Sequence, residues 1–202
     1  MDMQSKLMEL LDFGQSRSRR NTVAPAGSIA ARDNVALGRA FAQTMSDLDI
    51  LNFALTLEHL EAEMYRQMLA TNILTGKELT YFRDFGAAEA AHVTAITQTI
   101  QQLGGTPVAA KAMYNFPAFG DRGAILNFAA TVEEVGVGAY QGAAPAITNA
   151  NILAAAGSIV QVEARHAAIV RLLQGQPPVP AAFTPSLTVQ EVLTKVTPIL
   201  GS

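Results

Sequence analysis

Residues 54–65 read ALTLEHLEAEMY, and residues 129–140 read AATVEEVGVGAY. Each stretch places a Glu (Glu58, Glu133) seven positions before a Tyr (Tyr65, Tyr140). Seven residues are close to two turns of α-helix, so each Glu–Tyr pair shares one face. A second motif follows each stretch: Glu89-Ala-Ala-His92 in the first half and Glu163-Ala-Arg-His166 in the second. A Glu and a His three apart on a helix are side-by-side neighbours. From Glu58 to Glu133 is 75 residues and from Glu89 to Glu163 is 74. Two independent motifs therefore keep one register, the signature of an internal repeat.

The surrounding sequence predicts four long helices. The first runs from about Ser46 to Ala70, opened by a capping box of Ser46 and Asp49. The second starts near Thr75, with Thr75 and Glu78 as a further capping box, and stops at Gly104–Gly105. The third spans about Asp121 to Gly142, with Pro145 preventing much extension. The fourth spans about Asn149 to Gln174 and ends at Gly175 and Pro177–Pro178. Short links join helices one and two, and three and four, so each pair is expected to be an antiparallel hairpin. The link from Gly104 to Gly120 is long enough to run the length of a helix. The expected fold is all-α, a four-helix bundle with one long crossover between helices two and three. A short helix is expected in the tail from Thr184 to Leu200, using Leu187, Val189, Val192, Leu193 and Val196 to dock on the bundle. The domain division is an N-terminal extension, 1–45 and partly helical, followed by the bundle with its docking helix, 46–202.

Composition excludes several functions. Half of the 202 residues are hydrophobic and 15% are charged, with a formal charge of −3. Such a chain is too apolar for disorder and too poor in basic residues for a nucleic-acid surface. The lack of Cys rules out thiolate metal sites and disulfides. No apolar run reaches the roughly 18 residues of a membrane span. Ser18-Arg19-Arg20 meets one of the two requirements of a twin-arginine export signal, but the following TVAPAGSIAA is a poor apolar region. The expected compartment is the cytoplasm, with export through a degenerate signal as the alternative.

In so apolar a chain, carboxylates on core-facing stripes need a reason. Glu58 sits among Leu51, Leu55 and Ala62, and Glu133 among Leu126, Ala130 and Val137. A pair of divalent first-row metals wants hard carboxylate oxygens plus imidazole nitrogen. A helical bundle supplies these as one Glu from each of two helices and a Glu-x-x-His from each of the other two. The candidate ligands are thus Glu58, Glu89, His92, Glu133, Glu163 and His166. Four carboxylates and two neutral imidazoles carry −4, which two divalent ions cancel. Glu61 is the substitute if Glu58 points away, and Glu134 the substitute for Glu133. His59 has no counterpart in the repeat and is expected at the surface. Tyr65 and Tyr140 are either core aromatics or hydrogen-bond donors to ligating carboxylates, with a candidate catalytic role. With four acids inside, the surface is near neutral, which favours self-association. Small residues (Ala129, Ala130, Gly136, Gly138, Ala139, and Ala154 to Gly157) would permit close helix contacts and a homo-oligomer.

At these residues the sequence resembles the ferritin-like di-metal carboxylate superfamily. Segments LEHLEAEMY (57–65), EAAHVTAI (89–96), GVGAYQGAAP (136–145) and VEARHAA (162–168) resemble its bacterial ferritin-like domain family, to which plant desiccation-related and fungal stress-response proteins are similar. The resemblance covers about residues 46–200. It implies two divalent metal ions, iron before manganese, held by the six residues above. The expected function is reaction with O₂ or peroxide in stress protection; iron binding or storage, and a structural module stapled by metal, are the alternatives. The absence of Cys separates the chain from rubrerythrin-like proteins with a Cys-rich iron module.

Overall fold

A computed structural model of the chain describes residues 45–201. The expected N-terminal extension and the twin-arginine run lie outside the described residues. Five α-helices and no strand occur among those described: α1 (Asp47–Ala70), α2 (Gly76–Gln102), α3 (Arg122–Ala143), α4 (Ala150–Leu173) and α5 (Val189–Val196). A single 3₁₀ turn, Ala144–Ala146, contains Pro145 and ends α3. Hairpins α1–α2 and α3–α4 form the four-helix bundle, meeting each other through α1 against α3 and α2 against α4. None of the helices described is long and apolar enough to cross a membrane.

Local chemistry explains most boundaries. Ser46 and Asp49 form the expected capping box on α1. Asp121 caps α3 by accepting from Ala124 N–H at 2.8 Å, and Asn149 caps α4. The expected box at Thr75 does not form: Thr75 makes no side-chain cap bond. The Glu78 carboxylate is instead taken by Arg122, at 2.8 Å from Nε and 2.5 Å from Nη2. A guanidinium fork offers a charged partner in place of a neutral amide. Arg122 also donates to the Leu173 carbonyl at 2.8 Å, tying the two hairpins together at this end. At the opposite end, Asp47 accepts from Thr148 N–H (2.8 Å), Thr148 Oγ1 (2.9 Å) and Asn149 N–H (2.9 Å).

The crossover is irregular but pinned. Val108 N–H donates to Asn52 Oδ1 at 2.8 Å, and Asn115 N–H donates to the Ile199 carbonyl at 2.7 Å. Tyr114 stacks on Phe116, and Phe116, Phe119 and Phe128 pack tilted or edge-on, with centroids 5.4–6.0 Å apart. His59 is half-buried rather than at the surface, because the crossover lies on it: its Nε2 is 3.3 Å from the Val108 carbonyl.

The docking helix α5 begins at Val189, after a capping box of Thr188 and Glu191, so Leu187 precedes it. Val189, Val192, Leu193 and Val196 are buried in the main core. Each contributes up to about 2 kcal/mol of apolar burial. Leu187 N–H donates to the Gly138 carbonyl at 2.8 Å. A Cβ at Gly138 would lie 2.6 Å from Leu187 Cγ, and one at Gly142 would collide with the Leu187 carbonyl. These glycines on α3 therefore admit the chain's own C-terminal segment.

Along α1 the buried stripe is apolar except at its middle. Leu51 and Leu55 precede Glu58 and Glu61, and Met64, Tyr65 and Met68 follow them. The carboxylates thus enter the bundle between two apolar cores.

Candidate metal centre

All four helices send acids inward. Glu58, Glu89, Glu133 and Glu163 are each 0% exposed, and His166 is 5% exposed. They form two groups whose candidate ligand atoms lie within 4.8 Å of one another. One group is Glu58, Glu89, His92 and Glu163; the other is Glu89, Glu133, Glu163 and His166. The six residues expected from sequence are therefore brought together. Glu89 and Glu163, the acids of the two Glu-x-x-His motifs, belong to both groups, while Glu58 with His92 and Glu133 with His166 stand at opposite ends.

The imidazoles sit among the carboxylates. His92 Nδ1 is 3.1 Å from Glu58 and Glu89 and 3.3 Å from Glu163. His166 Nδ1 is 2.9 Å from Glu89 Oε1 and 3.5 Å from Glu133. His166 Nδ1 and Glu89 Oε1 are close but not aligned as a hydrogen bond, and both count as buried atoms without a partner. So do Glu133 Oε2 and both oxygens of Glu163. Buried polar atoms of a native protein almost always find partners. His92 Nδ1 bonds Glu58 and Glu89, but converging atoms left without partners fit a cation between them, and this Glu/His group can hold metal ions.

Electrostatics point the same way. Burial pushes the Glu58 carboxyl up to about 7 and raises Glu133. Burial followed by repulsion from neighbouring carboxylates pushes Glu61 and Glu163 well above the ordinary range. At Glu89 burial acts in the same direction, but the neighbouring His166 and His92 imidazoles outweigh it and hold that carboxyl at about 2. Burial opposes charge on the imidazoles too. Glu163, Glu58 and Glu89 nevertheless push His92 up to about 12, and Glu133 and Glu89 push His166 up to about 10. A nest of acids this deep holds protons unless cations replace them.

The tyrosines cross over. Tyr65 of α1 donates to Glu133 of α3, and Tyr140 of α3 donates to Glu58 of α1. Each phenol thus serves the carboxylate of the other half, not the one on its own helix. Burial keeps both hydroxyls protonated, well above the usual tyrosine range.

Neither substitute is needed, since Glu58 and Glu133 are both buried in the ligand groups. Glu134 points out and pairs with Arg171. Glu61 does not replace Glu58; it is buried beside it, 2% exposed. Its position three residues after Glu58 was a readable signal, since both then share a face.

Among solved structures, the chain resembles the crystal structure of a conserved hypothetical protein, rv2844, from Mycobacterium tuberculosis. The TM-score is 0.59 at 18% identity, covering 72% of this chain and 99% of that one. That likeness shows the fold. No curated protein matches the chain. A ferritin-like domain family matches residues 46–176, across α1 to α4 and every residue of the Glu/His group. With its bundle, crossover and buried acids, the chain belongs to the ferritin-like domain family.

Proposed function

We propose that the chain holds two divalent first-row metal ions, iron in preference to manganese, and reacts with O₂ or a peroxide in protection against stress. The observation that carries this reading is that Glu89 and Glu163 belong to both ligand groups. Glu58 and His92 would hold one ion, Glu133 and His166 the other, with the shared acids between them. When bound, such a pair supplies electrons to an oxidant at open coordination positions.

The chain's own residues prepare that chemistry. Tyr140 and Tyr65 fix the rotation of Glu58 and Glu133 by donating a hydrogen bond to each. Both phenols are buried in contact with those carboxylates and would supply a proton or an electron. Leu55, Leu60 and Met64, each 1% exposed or less, keep bulk water from the acids. His92, whose side chain is 12% exposed against 6% for His166, marks the end nearer solvent.

The test is metal counted per chain, followed by hydrogen peroxide and O₂ consumption with each metal. Two ions per chain, turnover, and its loss in Glu133→Ala are expected. Fully loaded protein that consumes neither oxidant would sink the oxidoreductase reading. Many irons per chain would favour storage, and two inert ions that raise the melting temperature would favour a structural staple.

A further inference from the structure

Among the described residues, Glu61 is the buried carboxylate that belongs to neither ligand group. It lies one turn beyond Glu58 on the same face of α1. Its Oε2 has no hydrogen-bond partner. A carboxylate so placed is costly unless something answers its charge.

The repeat shows what has been arranged around it. Adding the 75-residue offset to 61 leads to Gly136, so the second half has no side chain where the first has Glu. A Cβ at Gly136 would lie 2.8 Å from Glu61 Oε1 and 3.3 Å from Glu163 Oε2. The two oxygens are therefore at most 6.1 Å apart (2.8 plus 3.3). Gly136 is buried within α3, and no positive φ requires a glycine there. Glycine inside a helix weakens it relative to alanine. The compensation visible here is space for the Glu61 carboxylate beside an acid shared by both groups.

We propose that Glu61 is a fifth carboxylate ligand of the metal pair, supplied by the first hairpin alone, and that Gly136 is the opening through which it reaches the ions. The two metal positions are then chemically unequal although the repeat supplies each with one Glu and one His. The inference rests on the metal-pair reading above.

The experiment is titration of metal-free, full-length protein with Co(II), followed by visible absorption, which strengthens as the coordination number of cobalt falls. Wild type is expected to take two cobalt ions. Glu61→Gln should still take two, bind one of them about tenfold more weakly, and show a stronger visible band. Gly136→Ala keeps every carboxylate but crowds Glu61 most closely and Glu163 less so, and should shift the band in the same direction. An unchanged band and affinity in Glu61→Gln would overturn the proposal. If Glu61→Gln does not fold, Gly136→Ala decides alone, and an unchanged band there overturns it. Wild type that takes up no cobalt overturns the metal-pair reading itself, a failure distinct from the others.

Discussion

In the first hairpin Phe85 stands four residues before Glu89, and its ring centroid lies 4.2 Å from that of His166. In the second hairpin the corresponding position, four before Glu163, is Ile159. That side chain lines an apolar cavity of about 70 Å³ together with Ala54, Leu57, Ile96, Tyr140 and Ile152. Tyr65, Phe82 and Phe85 pack edge-on or tilted against one another and close the His166 end. The Glu58–Tyr140 end faces the cavity instead. The hairpins thus repeat the donor atoms and diverge in what surrounds them. The repeat supplies a matching set of acids and imidazoles, and the differing residues around it make the two ends unequal.

That comparison can be broken most severely at the shared acids. Glu89→Ala and Glu163→Ala should each lose both metal ions, whereas Glu58→Ala and Glu133→Ala should each lose one, read as metal per chain by elemental analysis. Equal loss in all four would erase the distinction between shared and end carboxylates. Next in size is the glycine surface of α3. Gly142→Ala should cost about 2 kcal/mol by overpacking against the C-terminal segment. Gln67→Ala, at the matching position of α1, should stay within about 0.5 kcal/mol. Thermal melting decides, and equal melting temperatures would show that Gly142 does not hold the segment.

The crossed phenols give a smaller effect. Tyr65→Phe should weaken the Glu133 end, and Tyr140→Phe the Glu58 end, each about tenfold in metal affinity. Calorimetric titration showing both steps weakened alike in either variant would contradict the crossing. Smaller again is the tie between Asp47 and the turn before α4. Burial acts to raise the Asp47 carboxyl, but hydrogen bonds from Thr148 and Asn149 prevail and lower it from 3.8. A lowered folded value means that the contribution is present above that ordinary value and fades as pH falls through the folded one. Asp47→Asn should therefore cost about 1 kcal/mol at neutral pH, after screening. Its denaturation curve should converge with wild type in acid; a constant gap would exclude the carboxylate as the cause. The smallest change is expected for Glu134→Ala. Glu134 is half-exposed and paired with Arg171, so metal content should hold and stability move by less than about 0.5 kcal/mol.

Much of this was readable because helix signals are local. The ends of α1, α3 and α4 fall within a residue or two of the expected positions, where Ser46, Asp121 and Asn149 stand as caps. The buried acids were legible from apolar neighbours at helical spacing. Thr75 makes no side-chain cap bond, and the Glu78 carboxylate that would complete the box is held by Arg122, 44 residues away. His59 was misplaced because the crossover that covers it has no periodicity. Glu61 was read as a replacement for Glu58 because spacing alone says that they share a face and not that Gly136 leaves room for both.

By itself the sequence determined the helices, the hairpin repeat and the six residues that converge, since side-chain period and motif register follow from backbone geometry. Tertiary structure decided which acids are shared, which tyrosine serves which carboxylate, and where the glycines of α3 are spent. Those outcomes depend on how one hairpin lies against the other. Contacts between residues 68 and 82 positions apart, such as Tyr65–Glu133 and Tyr140–Glu58, are fixed by the packing of α1 on α3. No local pattern encodes them.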